Sequence, residues 1–176
     1  GLNLAKKLRK CNQYQVVLID QNNYHLFKPL LYQVASAGLD PSDVSFPFRK
    51  VFRAKKNIFF RMGRMLAVHR LETSSGSIHY DYLVIATGCV PNFFGIKDIE
   101  KYAWTMADVR DSLRIRNTMF YNLERAMIAP TDTDRQTMLN IVIVGGGASG
   151  VEIAGAMAEM RRYIVPKDYP GVDIAL

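Results

Sequence analysis

Leu139, Ile141, Val142, Ile143 and Val144 make an apolar, largely β-branched run that passes directly into Gly145-Gly146-Gly147-Ala148-Ser149-Gly150. Val151, Ile153, Ala154, Met157 and Met160 follow at helical spacing. Strand, G-x-G-x-x-G and helix in that order predict a turn built to approach a phosphate. Gly145 permits the tight turn, Gly147 lets the backbone near a pyrophosphate without a Cβ in the way, and Gly150 lets the helix pack on the strand. The phosphate charge would lie at the helix N-terminus, where free N–H groups and the macrodipole favour an anion. An acid about 20 residues further on ordinarily completes such a unit. The chain ends at Leu176, inside what reads as the strand that would carry it, so NAD and NADP are not distinguished.

The N-terminal stretch carries a second, partial version of the pattern. Leu2, Leu4, Ala5 and Leu8 lie on one side of a short helix, and Val16, Val17, Leu18 and Ile19 form a continuous apolar strand ended by Asp20. Such a strand suits a parallel sheet covered on both faces. Asp20 stands 19 positions after Gly1, a spacing that suits an acid bound to a ribose. Both ends are expected to be cut, because the chain starts without Met in the first turn of a helix and stops in an apolar run.

Between these stretches, Pro29 can open a helix that Gly38 stops, and residues 40–43 form a turn. Extended patterns at 57–60 and 65–71 and a hairpin at 73–76 predict an antiparallel meander. Residues 82–86 return as an apolar strand halted by Thr87 and Gly88. Residues 105–108 have the form of a capping box before a helix carrying Val109, Leu113, Met119, Phe120, Leu123 and Met127, and residues 131–137 read as a polar linker or exposed loop. The predicted class is α/β: a Rossmann-like domain over 1–106 with a β-meander, then the start of a second Rossmann-like domain over 107–176.

Composition narrows the function classes. The longest strongly apolar stretch, 138–148, includes Asn140 and three glycines, and falls short of the ~18 residues of a membrane-spanning helix. The formal net charge of +7 points to an anionic partner or to a solvated basic surface. Its basic residues follow no nucleic-acid motif, so no nucleic-acid partner is predicted. Cys11 and Cys89 give neither a CxxC pair nor a zinc spacing, and Cys89 reads as a buried structural thiol. His25, His69 and His79 have no ligand set around them, so no metal site is predicted.

Two such units, separated by a meander and by Ala86-Thr87-Gly88, resemble the two-dinucleotide flavoproteins, in which the first unit holds FAD and the second NAD(P)H. Residues 23–38 (Asn-Tyr-His-Leu-Phe-Lys-Pro-Leu-Leu-Tyr-Gln-Val-Ala-Ser-Ala-Gly), residues 82–88 and residues 92–95 are similar to those of type II NADH dehydrogenases, the NADH:quinone oxidoreductases. The resemblance implies FAD and NADH as cofactors and a small-molecule quinone as acceptor. It also implies attachment to the inner, cytoplasmic face of a cell membrane through a part C-terminal to this chain, and it is compatible with a homodimer. Gly1 and Asp20 would then touch the FAD pyrophosphate and ribose, Met65 the adenine, and Ala86, Thr87 and Gly88 the flavin nucleotide. Lys28, Pro29 and Leu30 would lie near the isoalloxazine, with Lys28 either stabilising charge on the flavin or standing as a surface lysine. Gly145, Gly147 and Gly150 would hold NADH. Glu152, placed in the first turn of that helix, would orient the nicotinamide or merely complement the helix dipole. Disulfide-reductase relatives use a CxxxxC pair, and residues 27–37 hold no Cys. A sulfide or ferredoxin acceptor, and a non-catalytic nucleotide-binding module, stay open as alternatives.

Overall fold

The computed structural model describes residues 1–53, 56–68, 71–74 and 76–172. In chain order the elements are α1 (Leu2–Leu8), β1 (Val16–Asp20), β2 (Tyr24–Leu26), α2 (Leu31–Ala35) and α3 (Pro41–Val44). There follow β3 (Ser45–Pro47), α4 (Phe48–Val51), β4 (Ile58–Met62), β5 (Met65–Ala67), β6 (Leu71–Thr73) and β7 (Gly76–Ile78). The remaining helices are α5 (Lys97–Tyr102), α6 (Val109–Met127), α7 (Asp132–Leu139), α8 (Ala148–Tyr163) and α9 (Val165–Asp168). They fall into two compact units, one of residues 1–26 and 45–90, the other of residues 27–44 and 91–176.

In the first unit β1 and β4 pair in parallel, with Val16 opposite Ile58 and Asp20 opposite Met62. The expected parallel strand is therefore present, although residues 57–60 join it rather than the meander. The meander itself is antiparallel β5–β6–β7. Strand β2 pairs with β3. Ala5 of α1 and Phe48 and Phe52 around α4 pack with Ile58 and Phe60, and the Phe48 and Phe60 rings stack at 5.1 Å. Asn57 ties the end of α1 to the start of β4: its Nδ2 donates to the carbonyls of Leu8 at 3.1 Å and Cys11 at 2.9 Å, and lies 3.4 Å from that of Tyr14. One amide thus ties the last carbonyl of α1 to those of the loop that follows it.

The second unit is helical. Met119, Leu123 and Ala126 of α6 recur at helical spacing and pack with Met160, Val165 and Val172. Helix α2 packs on α6 and α8, and its Leu31, Val34 and Ala35 are fully or almost fully buried. It ends at Ala35, one turn short of Gly38. Ala37 takes the left-handed conformation at φ 61°, while Gly38 N–H donates to Gln33 O at 2.7 Å and Ala37 N–H to Val34 O at 3.2 Å. This is a Schellman closure with Ala in the position glycine usually fills.

Several expectations change. Helix α6 is capped by Asp108, whose carboxylate accepts the Asp111 N–H at 2.9 Å, while Asp111 accepts from Thr105 Oγ1 and Ala107 N. The polar stretch 131–137 is a helix rather than a linker, because the Thr131 hydroxyl oxygen accepts the Asp134 N–H and acids occupy the first turn. Residues 40–43 run into a one-turn helix, with Asp40 accepting the Ser42 N–H at 2.9 Å. The apolar runs at 82–86 and 140–144 join no ladder among the described residues. A strand's N–H and C=O groups need a neighbouring strand, and none of the described strands pairs with either run. Tyr82 is accordingly 79% exposed and Val142 85%. Cys89, three residues after the first of these runs, is exposed rather than buried.

Candidate functional site

The glycine turn has the geometry its pattern calls for. Gly145 sits at φ +114°, where L side chains are strained. A Cβ on Gly150 would overlap the Gly145 carbonyl oxygen, so no side chain fits there without moving backbone. At Gly147 the opposite holds: an added Cβ would meet no protein atom within 4 Å. The protein requires glycine at the first and last positions for its own shape. At the middle position it leaves open space in front of the backbone.

Gly147 is also the N-cap of α8, with no side-chain cap and no acid in the first turn. Among the described residues, the other two helices of eight or more residues start differently. Helix α6 is capped by Asp108 and has Asp111 in its first turn, and α7 is capped by Thr131 with Asp132 and Asp134 in its first turn. The intrahelical ladder of α8 begins with Val151 N–H on Gly147 O at 3.1 Å, which leaves the preceding amides free for an anion. Glu152 lies beyond that first turn, because the helix starts at Ala148, and it is exposed.

In the first unit, two of the anticipated residues meet. Gly1 is the N-cap of α1, and a Cβ on it would stand 3.3 Å from the Ala86 Cβ. Thr87 and Gly88 are exposed, with Gly88 at φ +77°. Asp20 closes β1 at the carboxyl end of the parallel pair, where its carbonyl accepts the Gly63 N–H at 2.9 Å. Its Oδ1 accepts the Asn22 N–H at 2.9 Å, which fixes the carboxylate's direction. Sequence reasoning passed over this bond, although Asp-x-Asn is a legible Asx turn. Met65, two residues past Gly63, opens β5 opposite Thr73 and is half-buried.

Beside Asp20, burial holds the His25 pKa below its ordinary 6.5; Lys6 lowers it further, Asp20 opposes the shift, and the N-terminal ammonium adds a smaller lowering. His69 lies outside the described residues. In the second unit, Lys28, Pro29 and Leu30 form a single 3-10 turn, with Lys28 and Pro29 exposed and Leu30 half-buried.

A profile of the pyridine nucleotide-disulphide oxidoreductases matches residues 1–166. The chain is 32% identical to the type II NADH:quinone oxidoreductase NdhA of Mycobacterium tuberculosis, over 92% of this chain and 36% of that protein. It is likewise 32% identical to the external alternative NAD(P)H-ubiquinone oxidoreductase B2 of Arabidopsis thaliana mitochondria, over 93% of this chain and 30% of that one. The structure of NDH2 from Plasmodium falciparum in complex with NADH superposes with a TM-score of 0.80 at 27% identity, covering 91% of this chain and 35% of that one. The sulfide:quinone oxidoreductase of Aquifex aeolicus superposes with a TM-score of 0.62 at 26% identity, over 74% of this chain and 30% of that one. The chain spans about a third of the length of these relatives. With its Rossmann-like α/β fold and its glycine turn, the chain belongs to the pyridine nucleotide-disulphide oxidoreductase family.

Proposed function

We propose that the chain is the nucleotide-binding part of an NADH:quinone oxidoreductase, with FAD held by residues 1–106 and NADH by residues 107–176. The observation that carries this reading is the turn itself: Gly145, by its positive φ, and Gly150, by close backbone approach, are demanded by the protein's own shape, whereas Gly147 is the uncapped start of α8 and an added Cβ there would meet no protein atom within 4 Å. The bare N-terminus of α8 supplies the N–H groups and the partial positive charge that a pyrophosphate needs. That relatives sharing this stretch are named NADH:quinone oxidoreductases supports the acceptor.

FAD, when bound, supplies the two-electron chemistry between nicotinamide and quinone. The chain's own residues bind and orient. Asp20, aimed by the Asn22 N–H, is suited to accept hydrogen bonds from a ribose. Gly1, Ala86, Thr87 and Gly88 line the backbone approach to the flavin nucleotide, and Met65 offers its backbone to the adenine. Lys28, next to Pro29 and Leu30, brings a positive charge to the flavin ring. Glu152, beyond the first turn of α8, positions the nicotinamide end of NADH.

The test is anaerobic rapid mixing of the full-length protein loaded with FAD. NADH should bleach the flavin absorbance, and a water-soluble quinone analogue should restore it. No bleaching by NADH, or restoration by other acceptors but not by the quinone, would overturn the reading. Membrane attachment is part of the same proposal, since the quinones of respiratory membranes are carried in the bilayer.

A further inference from the structure

Helix α6, in the second unit, buries Ser112, Met119, Leu123 and Ala126 on one side. At 3.6 residues per turn, the opposite side carries Arg110, Arg114, Asn117, Tyr121 and Glu124, and then Ile128 at the C-cap. All six are exposed, and they recur at alternating intervals of four and three residues, the spacing of a coiled-coil seam. The stripe exposes large apolar side chains, with Tyr121 61% and Ile128 83% accessible. Its polar side chains are braced: the Arg114 guanidinium lies 4.3 Å from the centre of the Trp104 ring, and Glu124 accepts from the Tyr169 hydroxyl. Beside the stripe, the Arg125 guanidinium lies 5.8 Å from the centre of the Tyr121 ring.

The stripe is complementary to itself when reversed. Arg114 and Glu124 stand equally far from position 119, and so do Asn117 with Tyr121 and Arg110 with Ile128. Two copies of α6 laid antiparallel about a twofold axis at that position set Arg114 against the second copy's Glu124, and Asn117 against its Tyr121. The axis repeats both pairs, which is the condition a twofold interface must meet. At the ends, the alkyl stem of Arg110 covers Ile128 while its charged head stays in water. A parallel arrangement would instead put Arg114 against Arg114 and Glu124 against Glu124, like charges face to face.

We infer that the exposed stripe of α6 is an interface at which two copies of this chain pair antiparallel. The facing charges fix register and direction, and Tyr121 and Ile128 supply the apolar area that charges alone do not. A different protein would have to offer acid and base in this same order, whereas a second copy does so by symmetry. The inference does not depend on which acceptor the enzyme reduces.

The experiment is sedimentation velocity of the full-length protein over a series of concentrations. The unaltered protein should dimerise, and the dissociation constant should rise about tenfold or more in Arg114→Glu and in Glu124→Arg, each of which sets like charges face to face. An equal mixture of these two variants should regain the affinity of the unaltered protein, because acid then meets base at both sites of the mixed pair. Arg114→Lys, which keeps the charge, should stay close to the unaltered protein. Thermal melting shows which variants are folded. Should Glu124→Arg fail to fold without its contact to Tyr169, the contrast between Arg114→Glu and Arg114→Lys decides. A protein monomeric at every concentration would overturn the interface. So would a dimer that Arg114→Glu leaves undiminished, or folded single variants that do not pair when mixed.

Discussion

In the first unit β1 and β4 lie side by side and place Asp20 at their carboxyl end. In the second, the turn from Gly145 to Gly150 is whole, yet the apolar run before it joins no ladder among the described residues. The contrast separates two kinds of encoding. A glycine turn is local, since one positive φ, one close backbone approach and one uncapped helix start lie within six residues. A strand is relational, because its hydrogen bonds belong half to another segment. Among the described residues, the turn of the second unit is complete within its own six residues, whereas no strand pairs with the run before it.

If the turn is local, its most sensitive point is where backbone meets backbone. Gly150→Ala forces a Cβ into the Gly145 carbonyl and should cost about 3 kcal/mol, the upper end for overpacking. Thermal melting and NADH titration of the full-length protein should both show the loss. An unchanged melting temperature would mean the turn is not held as described.

The first unit should break through a long-range tie instead. Asn57→Leu removes the amide that serves the carbonyls of Leu8 and Cys11, and should cost about 1–2 kcal/mol in chemical denaturation. NADH affinity should not change, because the second glycine turn is independent of it. A matching loss of NADH affinity would show that the two regions are not separable.

A smaller effect belongs to His25. With its pKa held below 6.5 chiefly by burial, the folded state resists a proton that the unfolded state accepts, so its contribution to stability is retained above 6.5 and declines as pH falls below it. His25→Gln should flatten the decline just below 6.5. A slope identical to that of the unaltered protein would remove His25 from the account.

The same division explains what the sequence made legible. The turn at 145–150, the capped helix of Met119 and Leu123, and the parallel strand ending at Asp20 were readable because φ requirements, periodicity and apolar runs are written in short windows. The helix over 132–139 was hidden because its polar residues look like a linker until Thr131 is seen as a cap. The placement of Glu152 shifted because the first turn is counted from Gly147, the N-cap, which glycines alone do not mark. The exposure of Cys89 and Val142 was not readable at all, since it depends on which strand lies beside them.

The central claim, that Gly147 at the uncapped start of α8 faces a bound pyrophosphate, is tested most directly by Gly147→Val in the full-length protein. A side chain there begins in open space, so the melting temperature should stay within about 1–2 °C of the unaltered protein, an effect of a few tenths of a kcal/mol. NADH affinity should fall by about a hundredfold, the scale of roughly 3 kcal/mol, while FAD stays bound. Undiminished NADH affinity in a protein of unchanged stability would contradict the claim.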